Sequence, residues 1–394
     1  MPLSVRPRPY LIPEYSLTGD LLSYASCPLQ YRYYNRAALP PSTPVQLWFG
    51  EFIHGVMGEA YRSWSSGAGR SRAFPWSWRP RIRQVELEVH KRLVARGLCP
   101  PPNLFCPHES PGSAGVCPDG NHPHHLNASA RAEAAINTWG KDLFPLITAA
   151  EVRLKGSRPM PNYRRGVSRS NYYSVTGIVD VLGSVTLGTA SRDNLILRYL
   201  MADDAVQRSI AALREYDVIV DYKGMRRPAK DDEAWAYHEW QVVTYAWLRR
   251  KQPGSRPTAA AILLYLNELV PSQQDLIELA RELGRDRTDV RPSGRDAELL
   301  KRWKPRLPQP KLSSGFRETR SVRVIHIARD LTQKSLDSFD GVVGAIEEAV
   351  AREVAGTPVK ECWSAKPEER KCTACDFKTF CPGAAPKTYT ATVP

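Results

Sequence analysis

The sequence predicts an α/β fold, a mixed sheet flanked by helices and set within N- and C-terminal helical segments. Three observations predict it. Val218-Ile219-Val220 is an apolar run that ends in Asp221-Tyr222-Lys223-Gly224, the pattern of a buried strand delivering charged side chains at its tip. Residues 172–182 form a second β-rich run with one carboxylate, Asp180, among apolar neighbours. Helix-like stretches at residues 47–57 and 239–248 stand before and after these strands.

Each element follows from local pattern. Residues 17–34 read as a helix, with Ser16 or Thr18 as N-cap, that positions Cys27; Pro40, Pro41 and Pro44 end it. The next helix, residues 47–61, holds a lone His54. In residues 62–83, Trp64, Trp76 and Trp78 alternate with Arg62, Arg70, Arg72, Arg79, Arg81 and Arg83. Aromatic platforms among cations suit single-stranded nucleic acid, which makes Trp76, Trp78 and Arg79 candidate DNA contacts. The same tryptophans could equally pack on the core. A helix over 84–96 leads to an irregular insertion, residues 97–127, rich in Pro, Gly, Cys and His. Its Cys99, Cys106, Cys117 and His122 are the right residue types for a second metal site holding Zn²⁺, although their spacing matches none of the common zinc patterns.

Residues 128–139 read as an Ala-rich helix and 148–154 as a first sheet strand. The connection 156–171 carries Arg158, Arg164, Arg165 and Arg169. Arg164 and Arg165 there are candidate phosphate contacts, or part of a solvated loop. Residues 188–214 separate the two aspartate-bearing runs and include a predicted helix over 201–213. A strand at 258–266 and a helix at 273–283 follow. Residues 284–320 are polar, basic and proline-containing, which predicts a mobile link. A strand at 321–328, an amphipathic helix at 335–354 and a frayed tail at 386–394 complete the reading. The expected organisation is an N-terminal helical region (1–96), the insertion (97–127), a core (128–283), the link (284–320) and a C-terminal segment (321–394).

The 394 residues are enough to bury a large core. Lys and Arg number 55 against 41 Asp and Glu, a net charge of +14, and the pI is about 9.4. That balance favours a polyanionic partner. No apolar stretch is long enough to span a membrane, and residues 1–9 lack the apolar segment of a secretion signal. Eight cysteines without such a signal predict a cytoplasmic protein that uses thiols as metal ligands.

Asp221 and Lys223 lie two apart on a strand and so face the same way. Buried charges need partners or a metal, and carboxylate oxygens suit Mg²⁺ or Mn²⁺. Gln241 and Tyr245, four apart, share one helix face. Taken in order, His54, Gly177-x-x-Asp180, Asp221-x-Lys223 and Gln241-x-x-x-Tyr245 resemble the PD-(D/E)XK nuclease superfamily, in its RecB-like branch. The resemblance implies a restriction-endonuclease-like core in which His54, Asp180, Asp221 and the Tyr222 carbonyl bind Mg²⁺ or Mn²⁺. Lys223 would orient the attacking water, and Gln241 and Tyr245 would hold the DNA backbone. Two features depart from the family pattern: the long connection between the aspartates, and Gly224 where Ser or Thr is frequent.

Cys372-x-x-Cys375 and Cys381-Pro382 form a C-x2-C-x5-C run, and Cys27-Pro28 stands far upstream. This is similar to the iron–sulphur subgroup of those nucleases, which includes the AddB nuclease domain and the CRISPR-adaptation exonucleases. There, one upstream and three downstream cysteines hold a [4Fe-4S] cluster, which here would join the two ends of the chain. The same four thiols could instead hold zinc or form disulfides. Cys362 is left over.

The implied activity is metal-dependent hydrolysis of DNA, exonucleolytic on single strands or ends, in CRISPR adaptation, recombination or DNA repair. The absence of a G-x-x-x-x-G-K-[ST] stretch predicts no motor in the chain itself, so a helicase or CRISPR integrase is an expected partner. The alternatives are a non-catalytic iron–sulphur DNA-binding scaffold and a zinc-dependent DNA-binding regulator.

Overall fold

The computed structural model describes residues 12–36, 45–67, 72–165, 168–186, 191, 193–373, 375–379 and 381–383. Arg70, Pro40, Pro41, Pro44 and the tail 386–394 lie outside these. The first half of the chain contributes β1 (Glu14–Ser16), α1 (Pro28–Arg36), α2 (Val45–Ser66), α3 (Arg83–Ala95), α4 (Asn127–Leu143), β2 (Ile147–Pro159) and β3 (Tyr172–Thr186). The second half contributes α5 (Leu195–Ala202), α6 (Asp204–Ile210), β4 (Glu215–Lys223), α7 (Glu233–Arg250), β5 (Thr258–Tyr265), α8 (Gln273–Gly284), α9 (Gly294–Arg302), α10 (Ser314–Ser321), β6 (Val322–His326) and α11 (Arg329–Val354). Among the described residues, six strands make a mixed sheet in the order β1-β3-β4-β5-β6, with β2 also paired to β3. Two compact units emerge, one of Thr43–Arg153 with Ile178–Ala328, the other of Met1–Ser42, Leu154–Gly177 and Arg329–Pro394.

In the unit built on Thr43–Arg153 and Ile178–Ala328, β4 is the strand that matters most for chemistry. It pairs antiparallel with β3, from Val181↔Val220 to Thr186↔Glu215. On its other side it pairs parallel with β5, Asp221 opposite Leu263 and Lys223 opposite Tyr265. β6 closes this part of the sheet antiparallel to β5. Every residue of β5 is buried, as expected of an apolar strand covered on both faces. Alternation then sorts β4: Val218, Val220 and Tyr222 enter one apolar cluster with Phe52, Ile53 and Val56 of α2 and Trp139 of α4. The odd-numbered residues, Asp221 and Lys223 among them, face the other way, where α7 packs on β4 and β5.

The stretch 284–320, expected to be a mobile link, is instead folded. Leu300 of α9 and Leu312 and Phe316 beside and within α10 pack on Leu276 and Leu279 of α8. Ser313 caps α10, accepting from the Phe316 N–H, while Asp296 accepts from the Ser313 N–H at 2.8 Å. A buried ion pair fastens this segment: Arg320, 2% exposed, donates to Glu268 at 2.7 and 3.0 Å, and Glu268 also accepts from the Arg227 N–H. High charge and proline content concealed a short apolar spacing. The helix expected over 201–213 is likewise two helices, α5 and α6, because Asp203 turns extended and caps α6 through the Ala205 and Val206 N–H groups.

In the other unit, β1 pairs parallel with the first residues of β3, Glu14↔Ser174 to Ser16↔Thr176. α11 supplies Asp340, which accepts from Arg158 and Tyr173, and Glu347, which accepts from Arg169 and Tyr15. The helix expected over 17–34 breaks at Cys27, which is extended at φ −161°, ψ 106°. Pro28 accounts for the break, since a proline disfavours helical geometry in the residue before it.

Replacing Glu268 with Ala leaves Arg320 charged and buried without its carboxylate, so it should destabilise the protein by about 3–5 kcal/mol. Urea unfolding of the variant beside the wild type measures this, and a loss below about 1 kcal/mol would mean that the pair does not organise the 284–320 segment.

Candidate active site and thiol site

Asp180 and Asp221 are neighbours because of ladder register. Val181 pairs with Val220, so the next pair outward is Asp180 opposite Asp221, with both side chains on one face of the sheet. Asp180 Oδ2 accepts the Tyr222 N–H at 2.8 Å and lies 3.1 Å from His54 Nδ1. Lys223 Nζ is 2.7 Å from Asp221 Oδ2 and donates to Gln241 Oε1 at 2.6 Å. Gln241 Nε2 in turn donates to Asp221 Oδ1 at 3.2 Å and to the Tyr245 hydroxyl at 3.0 Å. The lysine can only donate, so it fixes which way the Gln241 amide points. The six predicted side chains therefore form two bonded groups on paired strands, His54 with Asp180 and Asp221 with Lys223, Gln241 and Tyr245.

Gly224 explains how His54 arrives. A Cβ there would sit 3.0 Å from Ile53 and 3.3 Å from the backbone of Gly50, so a side chain would push α2 away from the end of β4. The departure from the expected Ser or Thr thus goes with a close approach of α2 to the end of β4.

Gln241 and Tyr245 are buried, 7% and 2% exposed, and their polar atoms are engaged with each other and with Asp221 and Lys223. In place of an open face toward the DNA backbone, they present their polar atoms to each other, the lysine and the carboxylate.

Burial is the largest influence on His54, Asp180 and Asp221. It works against the charged form of His54, yet the charge and hydrogen bond of Asp180 prevail and push the imidazole up to about 9. Burial also opposes the charge on Asp180, but His54, the Tyr222 N–H and Lys223 together hold that carboxyl below its ordinary range. Asp221 goes the other way, raised by burial and by Asp180 against the pull of Lys223. Asp221 Oδ2, although ion-paired, receives no aligned hydrogen bond. Two carboxylates, one of them with an under-satisfied buried oxygen, and an imidazole are donors that fit a hard divalent cation such as Mg²⁺ or Mn²⁺.

Residues 208–382 match the family model of the PD-(D/E)XK nuclease superfamily. The superfamily match takes in Asp221, Lys223, Gln241, Tyr245 and the downstream cysteines, while His54, Asp180 and Cys27 lie outside it. A comparison with curated proteins finds no match for the chain. No helix among the described residues is long and apolar enough to cross a membrane.

Sequence reasoning passed over His238, one turn before Gln241 on α7. Its Nδ1 lies 3.2 Å from the Tyr265 hydroxyl, and burial, with Lys223 and Arg323 nearby, drives it down to about 2. The i−3 spacing from Gln241 was the available signal.

Cys27, Cys372, Cys375 and Cys381 line one pocket, together with Leu29, Gln30 and Phe377. The segments that carry them are joined by the Leu29 N–H to Ser364 carbonyl bond at 3.1 Å and by Tyr33 and Tyr34 packing on Phe377. Burial raises the Cys375 thiol; a backbone bond from Phe377 opposes this, and Cys27, Cys381 and Cys372 add to it. Gln30 Nε2 donates to Cys375 Sγ at 3.5 Å and the Glu368 N–H to Cys372 Sγ at 3.4 Å. N–H groups aimed at sulphur and four thiols around one pocket are suited to a thiolate-bound group. Cys362 instead donates to the Thr357 carbonyl at 3.4 Å.

The remaining candidates separate. Trp76 is 2% exposed and stacked on Phe74, so it offers no face to a base, and its reading as a DNA contact is corrected to core packing. Trp78 is half-buried and donates its indole N–H to Glu86 at 3.2 Å. Arg79 is exposed and meets His124. Arg164 and Arg165 are exposed on the β2–β3 connection. In the insertion, Cys106, Cys117 and His122 converge, whereas Cys99 is exposed and stands outside their group, which corrects the expected set of four.

Without bound metal, the raised His54 adds stability that is fully present below pH about 6.5 and is lost as pH rises through about 9. An Asp180→Asn variant should let His54 titrate well below 9 in an NMR titration of its imidazole. An unchanged titration would show that Asp180 is not what holds the proton there.

Proposed function

We propose that the protein is a divalent-metal-dependent deoxyribonuclease that acts exonucleolytically on single-stranded DNA or DNA ends. The observation that carries this reading is the pairing of Asp180 and Asp221 at the end of one antiparallel ladder, with His54 and Lys223 within hydrogen-bond reach. His54, Asp180, Asp221 and the Tyr222 carbonyl would hold Mg²⁺ or Mn²⁺. The ion, when bound, supplies Lewis acidity toward the phosphate and the attacking water.

The chain's own residues do the rest. Lys223 brings positive charge to where negative charge gathers on the phosphate in the transition state, and its placement is fixed beforehand by Gln241. Gln241 is a positioning residue, and Tyr245 positions it in turn by accepting its second N–H. Exposed Arg79, Arg164 and Arg165 contact DNA phosphates, a role that sets position rather than sequence preference. Such an activity serves CRISPR adaptation, recombination or repair, with a helicase or integrase supplying the strand or end.

Cys27, Cys372, Cys375 and Cys381 would hold a [4Fe-4S] cluster, four thiolates being its usual ligand set. Its role in this reading is structural: it fastens chain segments far apart in sequence, which lowers the entropy of the unfolded chain.

An anaerobic preparation tests both parts. It should be brown, with about four iron atoms per chain, and should degrade labelled single-stranded DNA when Mn²⁺ or Mg²⁺ is added. Asp221→Ala should abolish turnover while keeping its iron, and Lys223→Ala should cost about 10²-fold or more in kcat. Equal, negligible turnover in wild type and Asp221→Ala would favour a DNA-binding scaffold, and a colourless preparation with zinc but no iron would overturn the cluster.

A further inference from the structure

The insertion 97–127 contains a second thiol group that neither the superfamily match nor the proposed nuclease chemistry uses. Cys106, Cys117 and His122 each present one donor atom, and these atoms all lie within 4.8 Å of one another. Both cysteines are buried and neither is in a disulfide. An independent observation points the same way: His122 Nε2 is buried and has no hydrogen-bond partner. An imidazole nitrogen withdrawn from water with nothing to bond is costly unless it ligates.

The backbone around the group is already shaped. Val116 and Pro123 form an isolated antiparallel bridge, which sets Cys117 and His122 side by side at the mouth of a tight turn. The Cys117 N–H donates to the His122 carbonyl at 2.9 Å, and the Gly120 N–H returns to the Cys117 carbonyl at 3.2 Å. Cys106 is delivered from the other side by Arg83, which is 3% exposed and donates to the carbonyls of Cys106 and His108 at 2.6 Å. Arg83 is itself paired with the buried Glu86 at 3.0 Å. The loop is thus anchored to α3 at one ligand and closed by a turn at the other two. His90, whose Nδ1 is also unpartnered, lies outside the group and is not included.

We propose that Cys106, Cys117 and His122 bind a zinc ion that fixes the insertion against α3, with water completing a tetrahedral set. Binding releases one proton from each thiol; two thiolates and a neutral imidazole then balance the charge of Zn²⁺, as a buried site requires. This site is separate from the four-cysteine group and holds whether or not the protein cleaves DNA.

Metal analysis of the full chain, purified anaerobically with zinc in the growth medium, tests it. The wild type should retain about one zinc per chain, and Cys106→Ser, Cys117→Ser and His122→Ala should each lose most of it with iron unchanged. Cobalt titrated into zinc-depleted wild type should give thiolate-to-metal charge-transfer absorption with the intense visible bands of a tetrahedral ion. That measurement decides the matter if the variants do not fold. Zinc retained in full by all three variants would overturn the assignment. So would wild type that holds no zinc and shows no cobalt–thiolate band, or a Cys106–Cys117 disulfide in the intact mass of the native protein.

Discussion

Two carboxylates side by side at the end of one sheet ladder, Asp221 buried and Asp180 half-buried, are the constraint to which the candidate site answers. Left alone, Asp180 and Asp221 would repel each other and resist ionisation. The fold resolves this unequally. Asp180 is kept charged by His54 and a backbone N–H, whereas Asp221 is pushed up and depends on Lys223. In the proposed reading, a divalent cation shared by the two acids would relieve that asymmetry, which links the geometry to the chemistry.

Much of the fold was legible because the strands of the core are simple. β4 and β5 are short apolar runs, and their buried faces leave little choice of element. α8 was equally plain, with a capping box at Ser272 and Asp275 that marks its start. The sequence was least informative where a few apolar residues are diluted by charge. α9 and α10 each bury a single stripe, Leu300 and Phe316 among them, on a helix that precedes them in the chain. Local pattern could not reveal that, since the partner surface is supplied by tertiary packing.

The candidate site was legible as a set of residues but not as a set of roles. Motif order predicted that His54, Asp180, Asp221, Lys223, Gln241 and Tyr245 would assemble, and they do. Only coordinates could show that Gln241 and Tyr245 face inward, or that Gly224 is required by the approach of α2. The long connection between the aspartates had no effect on register, because α5 and α6 form outside the ladder and β3 still pairs directly with β4. Among the cysteines, the C-x2-C-x5-C spacing pointed to one group. The second was blurred by an exposed Cys99 that composition could not separate from its neighbours.

The account stands on Asp180 and Asp221 sharing one divalent ion. Crystals of the wild type soaked in Mn²⁺ and measured for anomalous scattering put that to the most direct test. The account predicts a peak in coordinating contact with both carboxylates and with His54. Density that avoids the end of the β3–β4 ladder, with manganese bound only elsewhere or nowhere, would contradict it.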